Sequence, residues 1–246
     1  MSAVNQRWMA WGGIISMVIL LIGMWVIAGF VPPPGPDKSM DQIVRIYVDH
    51  NARIKIGIIF ACAGVTLLAP WSAAIAIQMR RIEGELAPLA LSQALLGLML
   101  LVEFYIPCIM WEAAAFRPEI DPGFTYRIHD LACIMFIALP WTGMLQAILL
   151  AVAIFQDRHK SPVFPRWMGY FSLWSALCFL PGGLNCLAKT GVIAWNGLLA
   201  WWLGLAIFGG WIFAVSFCLL KYAIPHQVAA QAQKVSGKTL SPADNL

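Results

Sequence analysis

Charge is what this chain has least of. Only 11% of its 246 residues are Asp, Glu, Lys or Arg, against 61% hydrophobic residues and a mean hydropathy of +0.76. A soluble globular domain carries about a quarter charged residues, so that class is excluded and the chain folds in lipid. The formal charge of +4 is small. Its basic residues fall a few to a loop and never along one face, which excludes a nucleic-acid partner.

Several chemical signatures are missing as well. There is no G-x-x-x-x-G-K-[ST] phosphate loop, no Gly-rich dinucleotide turn, no G-x-S-x-G, no H-x-x-H and no H-E-x-x-H. No cofactor and no metal is therefore expected. The six cysteines, Cys62, Cys108, Cys133, Cys178, Cys186 and Cys218, form no C-x-x-C and lie within or at the ends of apolar segments. They read as small packing hydrophobes and not as disulfides or metal ligands.

What fills the chain instead is six apolar windows, roughly 8–31, 54–78, 87–116, 130–155, 168–188 and 197–222, each near the ~20 residues a bilayer core requires. The expected fold is an all-α membrane protein, a six-transmembrane-helix bundle forming one domain over residues 1–222. Residues 223–246, polar and Ala/Gln-rich after Pro225, are expected to form a disordered cytoplasmic tail. Lys and Arg divide nine to seven between the two sides, with Arg80, Arg81, Arg158, Lys160 and Arg166 in short loops beside Arg7 and Lys221. The positive-inside rule then places both termini in the cytoplasm, with the bundle in the plasma (inner) membrane. The first window is longer than the 7–15-residue core of a secretory signal, so it is expected to stay as a helix.

Internal similarity supports that reading. Met24–Pro32, MWVIAGFVP, matches Met110–Pro118, MWEAAAFRP, at an offset of 86, and Ala69-Pro70-Trp71-Ser72 matches Leu139-Pro140-Trp141-Thr142 at an offset of 70. Gly210-Trp211 falls 70 residues further on. The pattern predicts three helical hairpins, 1–80, 86–158 and 167–222, as a 2+2+2 repeat; the alternative is chance similarity among apolar segments. The first hairpin carries an insertion. Prolines 32, 33, 34 and 36 stop the helix, Ser39 with Gln42 has a capping-box pattern, and Met40, Ile43, Val44 and Tyr47 follow helical spacing. A short amphipathic helix on the outer surface is expected, either a lid or a seal over the bundle end.

Aligning the first two hairpins shows where polarity was added. Glu103 replaces Met17, Glu112 replaces Val26, Pro107 replaces Leu21, His129 replaces Ile59, Asp130 replaces Phe60 and Gln146 replaces Ala76. The special chemistry thus gathers in the hairpin of the third and fourth spans. An ionisable group at bilayer depth costs from about 2.5 kcal/mol upward and faces the protein interior or a water-filled cavity. Glu103 is such a group, as a ligand contact or as an interhelical hydrogen bond. Glu112, nine residues on, is half a turn out of phase on an ideal helix, and Pro107 frees a carbonyl between the two. Glu112, His129 and Asp130 are expected at one depth at the outer end, where His129 and Asp130 open the fourth helix. A His with two carboxylates reads as a divalent-metal or acid–base set, neither carrying a specific ligand spacing, or as an interfacial His beside a helix-capping Asp.

Pro181-Gly182-Gly183 followed by Asn185 predicts a broken helix or a close helix approach. Lys189 either snorkels or pairs with Glu112. Trp71, Trp141 and Trp211 recur near mid-helix and read as core, or as walls of an apolar pocket. The candidate ligand-binding residues are therefore Glu103, Tyr105, Pro107, Glu112, His129, Asp130, Trp141, Gln146 and Asn185.

In size and in its isolated intramembrane acids the chain resembles small integral-membrane terpenoid cyclases and sterol isomerases, a likeness that rests on no shared motif. Three functions follow as expectations. One is binding or translocation of a small apolar or amphiphilic molecule in a pocket at Glu103. The others are a structural subunit held by membrane-protein partners or as a homo-oligomer, and an intramembrane acid–base enzyme on a lipid-like substrate. The partners expected are the lipid bilayer and the small ligand.

Overall fold

The computed structural model describes residues 3–138 and 140–239, and the side chains of residues 3–137 and 140–232. Among these residues the chain is helix and turn, without strands. Six helices are long and apolar enough to cross a membrane. The first span is α1 (Ala3–Leu21) with a π-helical continuation over Ile22–Ile27, and a short helix, α2 (Met40–Asp49), follows it. The second span joins α3 (Asn51–Thr66) to α4 (Leu68–Glu83), and the third is the single helix α5 (Pro88–Phe116). The fourth joins α6 (Pro122–Ala138) to α7 (Pro140–Gln156). The fifth is α8 (Arg166–Phe179) with a 3₁₀ extension over Leu180–Leu187. The sixth runs from a π turn at Leu198–Leu203 through α9 (Gly204–Cys218) and a second π turn at Leu219–Ala223 into α10 (Ile224–Thr239).

Each span packs against the next, and α9 returns to α1, so the six form a closed ring. The first two spans meet at glycines. A Cβ on Gly23 would stand 2.5 Å from the Gly57 carbonyl oxygen, and one on Gly57 would stand 2.5 Å from the Gly23 carbonyl oxygen. Only hydrogen fits on either side, the small-residue contact that drives helix association where lipid competes equally for apolar surface. Trp71 of α4 and Trp211 of α9 are fully buried edge to face, with centroids 5.6 Å apart. Their indole N–H groups donate to Ser216 and Ser172, at 2.9 and 3.1 Å. Trp141, the third tryptophan of the series, is 46% exposed, so the three are not equivalent in their surroundings.

Helix ends follow local chemistry. The Glu83 carboxylate accepts the Leu89 and Ala90 amides at 2.9 and 2.7 Å, capping α5 across the 84–87 turn. Ser39 and Gln42 form the expected capping box of α2, which buries Ile43 and Tyr47 while Met40 stays exposed.

Two expectations are corrected. The fourth span opens at Pro122, with the Asp121 side chain accepting the Phe124 amide at 2.9 Å, so His129 and Asp130 lie two turns inside the helix. Asp before Pro is a strong start signal, because proline at the first helical position has no orphan N–H to satisfy. The last span does not stop at Pro225 but continues as α10. A proline ring collides with the carbonyl four residues back and lacks a donor, and the wider π turn at Leu219–Ala223 accommodates both defects. Bonds from Gln78 to Gln227, 2.8 Å, and from His226 to the Pro162 carbonyl, 3.2 Å, hold the continuation in place. Residues 240–246 of the expected tail lie outside the described residues.

Candidate functional site

A cavity of about 120 Å³ lies inside the ring, walled by the first, third, fourth, fifth and sixth spans. Its walls are apolar: Leu20, Leu21, Met24, Leu100, Phe104, Phe136, Phe179, Trp201 and Phe208 among others. Glu103 is the ionisable residue among those lining it. Near the middle of the 29-residue α5, Glu103 is half-buried, and its Oε2 accepts the Thr142 hydroxyl in a short hydrogen bond across to α7.

The cavity lies where regular helix fails. Met24 comes from the π segment of the first span, Gly182 from the 3₁₀ extension of the fifth span, and Ala200 and Trp201 from the π turn of the sixth. Pro107, one turn beyond Glu103, has no N–H for the Glu103 carbonyl, and Pro140 likewise has none for Phe136. Irregular backbone at membrane depth is tolerated where it is buried in protein or lines a cavity, and π and 3₁₀ segments gather at functional sites. Small residues keep the space open. A Cβ on Gly204 would meet no atom within 4 Å.

Two buried polar groups remain unpaired nearby. Trp201, 5% exposed, lines the cavity with its indole N–H unpartnered, and Asn185, 1% exposed, has neither its amide nitrogen nor its oxygen bonded among the described residues. In a 3₁₀ helix residues three apart eclipse, so Asn185 stands one turn above cavity-lining Gly182 on the same face. Buried polar atoms nearly always have partners. Both groups are suited to a ligand's hydrogen-bonding group.

The remaining candidates divide. Tyr105 faces α3, its hydroxyl 2.5 Å from Thr66 Oγ1. Glu112 has Cys62 and Cys108 as its electrostatic neighbours on the α3 side of α5. The charge of Lys189 acts on Asp130 and not on Glu112. Trp141 turns outward and covers Gly183, whose added Cβ would lie 2.7 Å from its ring. Gln146 ties α7 to α5, accepting from Gln93 at 2.9 Å and donating to the Leu96 carbonyl at 3.4 Å.

His129 is fully buried. Its Nε2 lies 3.2 Å from the Pro34 carbonyl and its Nδ1 lies 2.9 Å from the Tyr47 hydroxyl. A carbonyl only accepts, so Nε2 carries the proton and Nδ1 accepts from Tyr47. Burial, then nearby Cys133 and Asp130, hold the Tyr47 phenol well above the usual tyrosine range, so this proton stays in place. The Trp195 indole N–H reaches the same Pro34 carbonyl at 3.0 Å. The group fastens α2 and the proline loop over the bundle end. Among the described residues no three His, Cys, Asp or Glu side chains group as a metal site.

Sequence reasoning missed Thr142, Trp201 and the phenylalanine walls. Thr142 follows the Pro140-Trp141 motif directly and could have been found as a hydroxyl beside a proline within a span. The phenylalanines carry no sequence signal distinct from core packing. Comparison with protein-family models, curated proteins and solved structures finds no match to this chain.

Proposed function

We propose that this membrane protein binds a small amphiphilic molecule in the cavity at Glu103. The observation that carries the reading is the convergence of three irregular helix segments and one intramembrane carboxyl on a single apolar space. A cavity of about 120 Å³ is close to the ~150 Å³ engineered apolar cavity that accepts benzene, so it fits one ring or a short branched chain. The ligand's polar group, a hydroxyl or carbonyl, sits at Glu103, with the Trp201 N–H and the Asn185 amide as further partners. Translocation would use the same space.

The binding reading is favoured over acid–base catalysis because Glu103 has no second ionisable group beside it in the lining. The hairpins 1–80 and 86–158 are read as copies of one unit. In support, Pro70-Trp71 and Pro140-Trp141 stand at the aligned positions of the second and fourth spans. The basic loops support cytoplasmic termini in a plasma (inner) membrane.

Photolabelling tests the proposal. A diazirine-bearing benzyl alcohol should insert into Phe104, Phe136 or Phe208, and unlabelled benzyl alcohol should compete. Labelling confined to the lipid-facing surface would contradict it.

A further inference from the structure

At the end of the bundle that carries α10, a cleft of about 630 Å³ opens between α10, the end of α4 and the connection from α7 to α8. Four nitrogen-bearing side chains converge there from three elements: Arg81 of α4, His159 and Lys160 of the connection, and His226 of α10. Ser161 and Gln227 add neutral donors.

No carboxylate is among the lining residues. The neighbouring acid, Asp157, is engaged elsewhere. Its Oδ1 accepts the His159 amide and ring Nδ1 at 3.0 and 2.7 Å, and its Oδ2 accepts the Val163 amide at 2.8 Å. It shapes the 157–163 turn and leaves His159 Nε2 without a partner among the described residues. Even with both histidines neutral, Arg81 and Lys160 outnumber Asp157.

Arg81 is held in place with donors to spare. Its Nη1 gives to Gln78 at 2.5 Å and to the Ala223 carbonyl at 2.8 Å. Its Nη2 and Nε have no partner among the described residues. A fixed guanidinium fork beside an ammonium, with the neighbouring Asp157 hydrogen-bonded to His159 and Val163 and not to Arg81, suits a phosphate oxyanion. Trp167 and Tyr170, which follow the connection on α8, are 44% and 65% exposed, as side chains of an interfacial aromatic belt are. Basic pockets between helices at that level take anionic headgroups.

We propose that this cleft binds a phosphate-bearing anion, a lipid headgroup or a soluble phosphate, with Arg81 and Lys160 as the charged contacts. The site stands apart from the cavity at Glu103 and does not depend on it.

The test uses the full chain and Lys160→Glu, a loop substitution that breaks no hydrogen bond among the described residues. Arg81→Gln serves as a second variant, scored only where its melting temperature shows that it folds. Native mass spectrometry compares retention of phosphatidylglycerol with phosphatidylcholine, and thermal melts are recorded with and without millimolar orthophosphate. Selective phosphatidylglycerol retention, falling about tenfold in Lys160→Glu, supports the site and assigns it to lipid. Stabilisation by orthophosphate that disappears in Lys160→Glu, without lipid selectivity, supports it and assigns a soluble anion. Neither response, or a response unchanged in Lys160→Glu, overturns it.

Discussion

The Thr142 hydroxyl donates to Glu103 Oε2, tying α7 to α5 at the wall of the central cavity. One bond therefore serves both the packing of the third and fourth spans and the orientation of the carboxyl.

Removing that donor should be felt in stability. Thr142→Val keeps the shape and leaves the carboxyl oxygen without its partner, a loss of about 1–3 kcal/mol, read as a lower melting temperature in detergent. Thr142→Ser should retain most of the wild-type value. Equal melting of Thr142→Val and wild type would show that the bond contributes nothing.

Gly204 offers a steric test. A side chain there meets open space, so Gly204→Leu should fill the cavity, keep the fold and abolish photolabelling of its walls. Gly204→Ala should raise stability by up to about 1 kcal/mol, the ordinary helix-propensity difference. A Gly204→Leu protein that folds and labels as wild type would place the ligand elsewhere.

Asp157 gives a pH dependence with a definite sign. Burial pushes its carboxyl up, but the amides of His159 and Val163 and the His159 ring outweigh this and hold it below the usual aspartate range. As the pH falls, the unfolded chain therefore takes up the proton before the folded one. The contribution to stability is present above the usual aspartate pKa of about 3.9 and is lost as the pH falls below it. Melts between pH 7 and pH 3 should show a larger drop for wild type than for Asp157→Asn. Parallel curves would contradict this.

Much of this architecture was legible because lipid imposes simple rules. Apolar windows gave the six spans, and the Ser39/Gln42 and Tyr47 patterns gave α2. Polarity at depth singled out Glu103, and the Pro181-Gly182-Gly183 run marked the irregular part of the fifth span. What escaped depends on helix rotation. Glu112 and Tyr105 sit on the α3 side of α5, a phase that no apolar sequence encodes when every face is hydrophobic. Burial of His129 follows from the distant Tyr47 and Pro34, and the helical path through Pro225 follows from a π turn that has no sequence signature.

The most direct measurement is native mass spectrometry of gently solubilised wild type beside Glu103→Gln and Gly204→Leu. The account predicts a small non-covalent mass on wild type that is lost or greatly weakened in both variants while all three melt cooperatively. A bound mass retained equally by the three proteins, or none on any of them, would contradict a ligand site at Glu103.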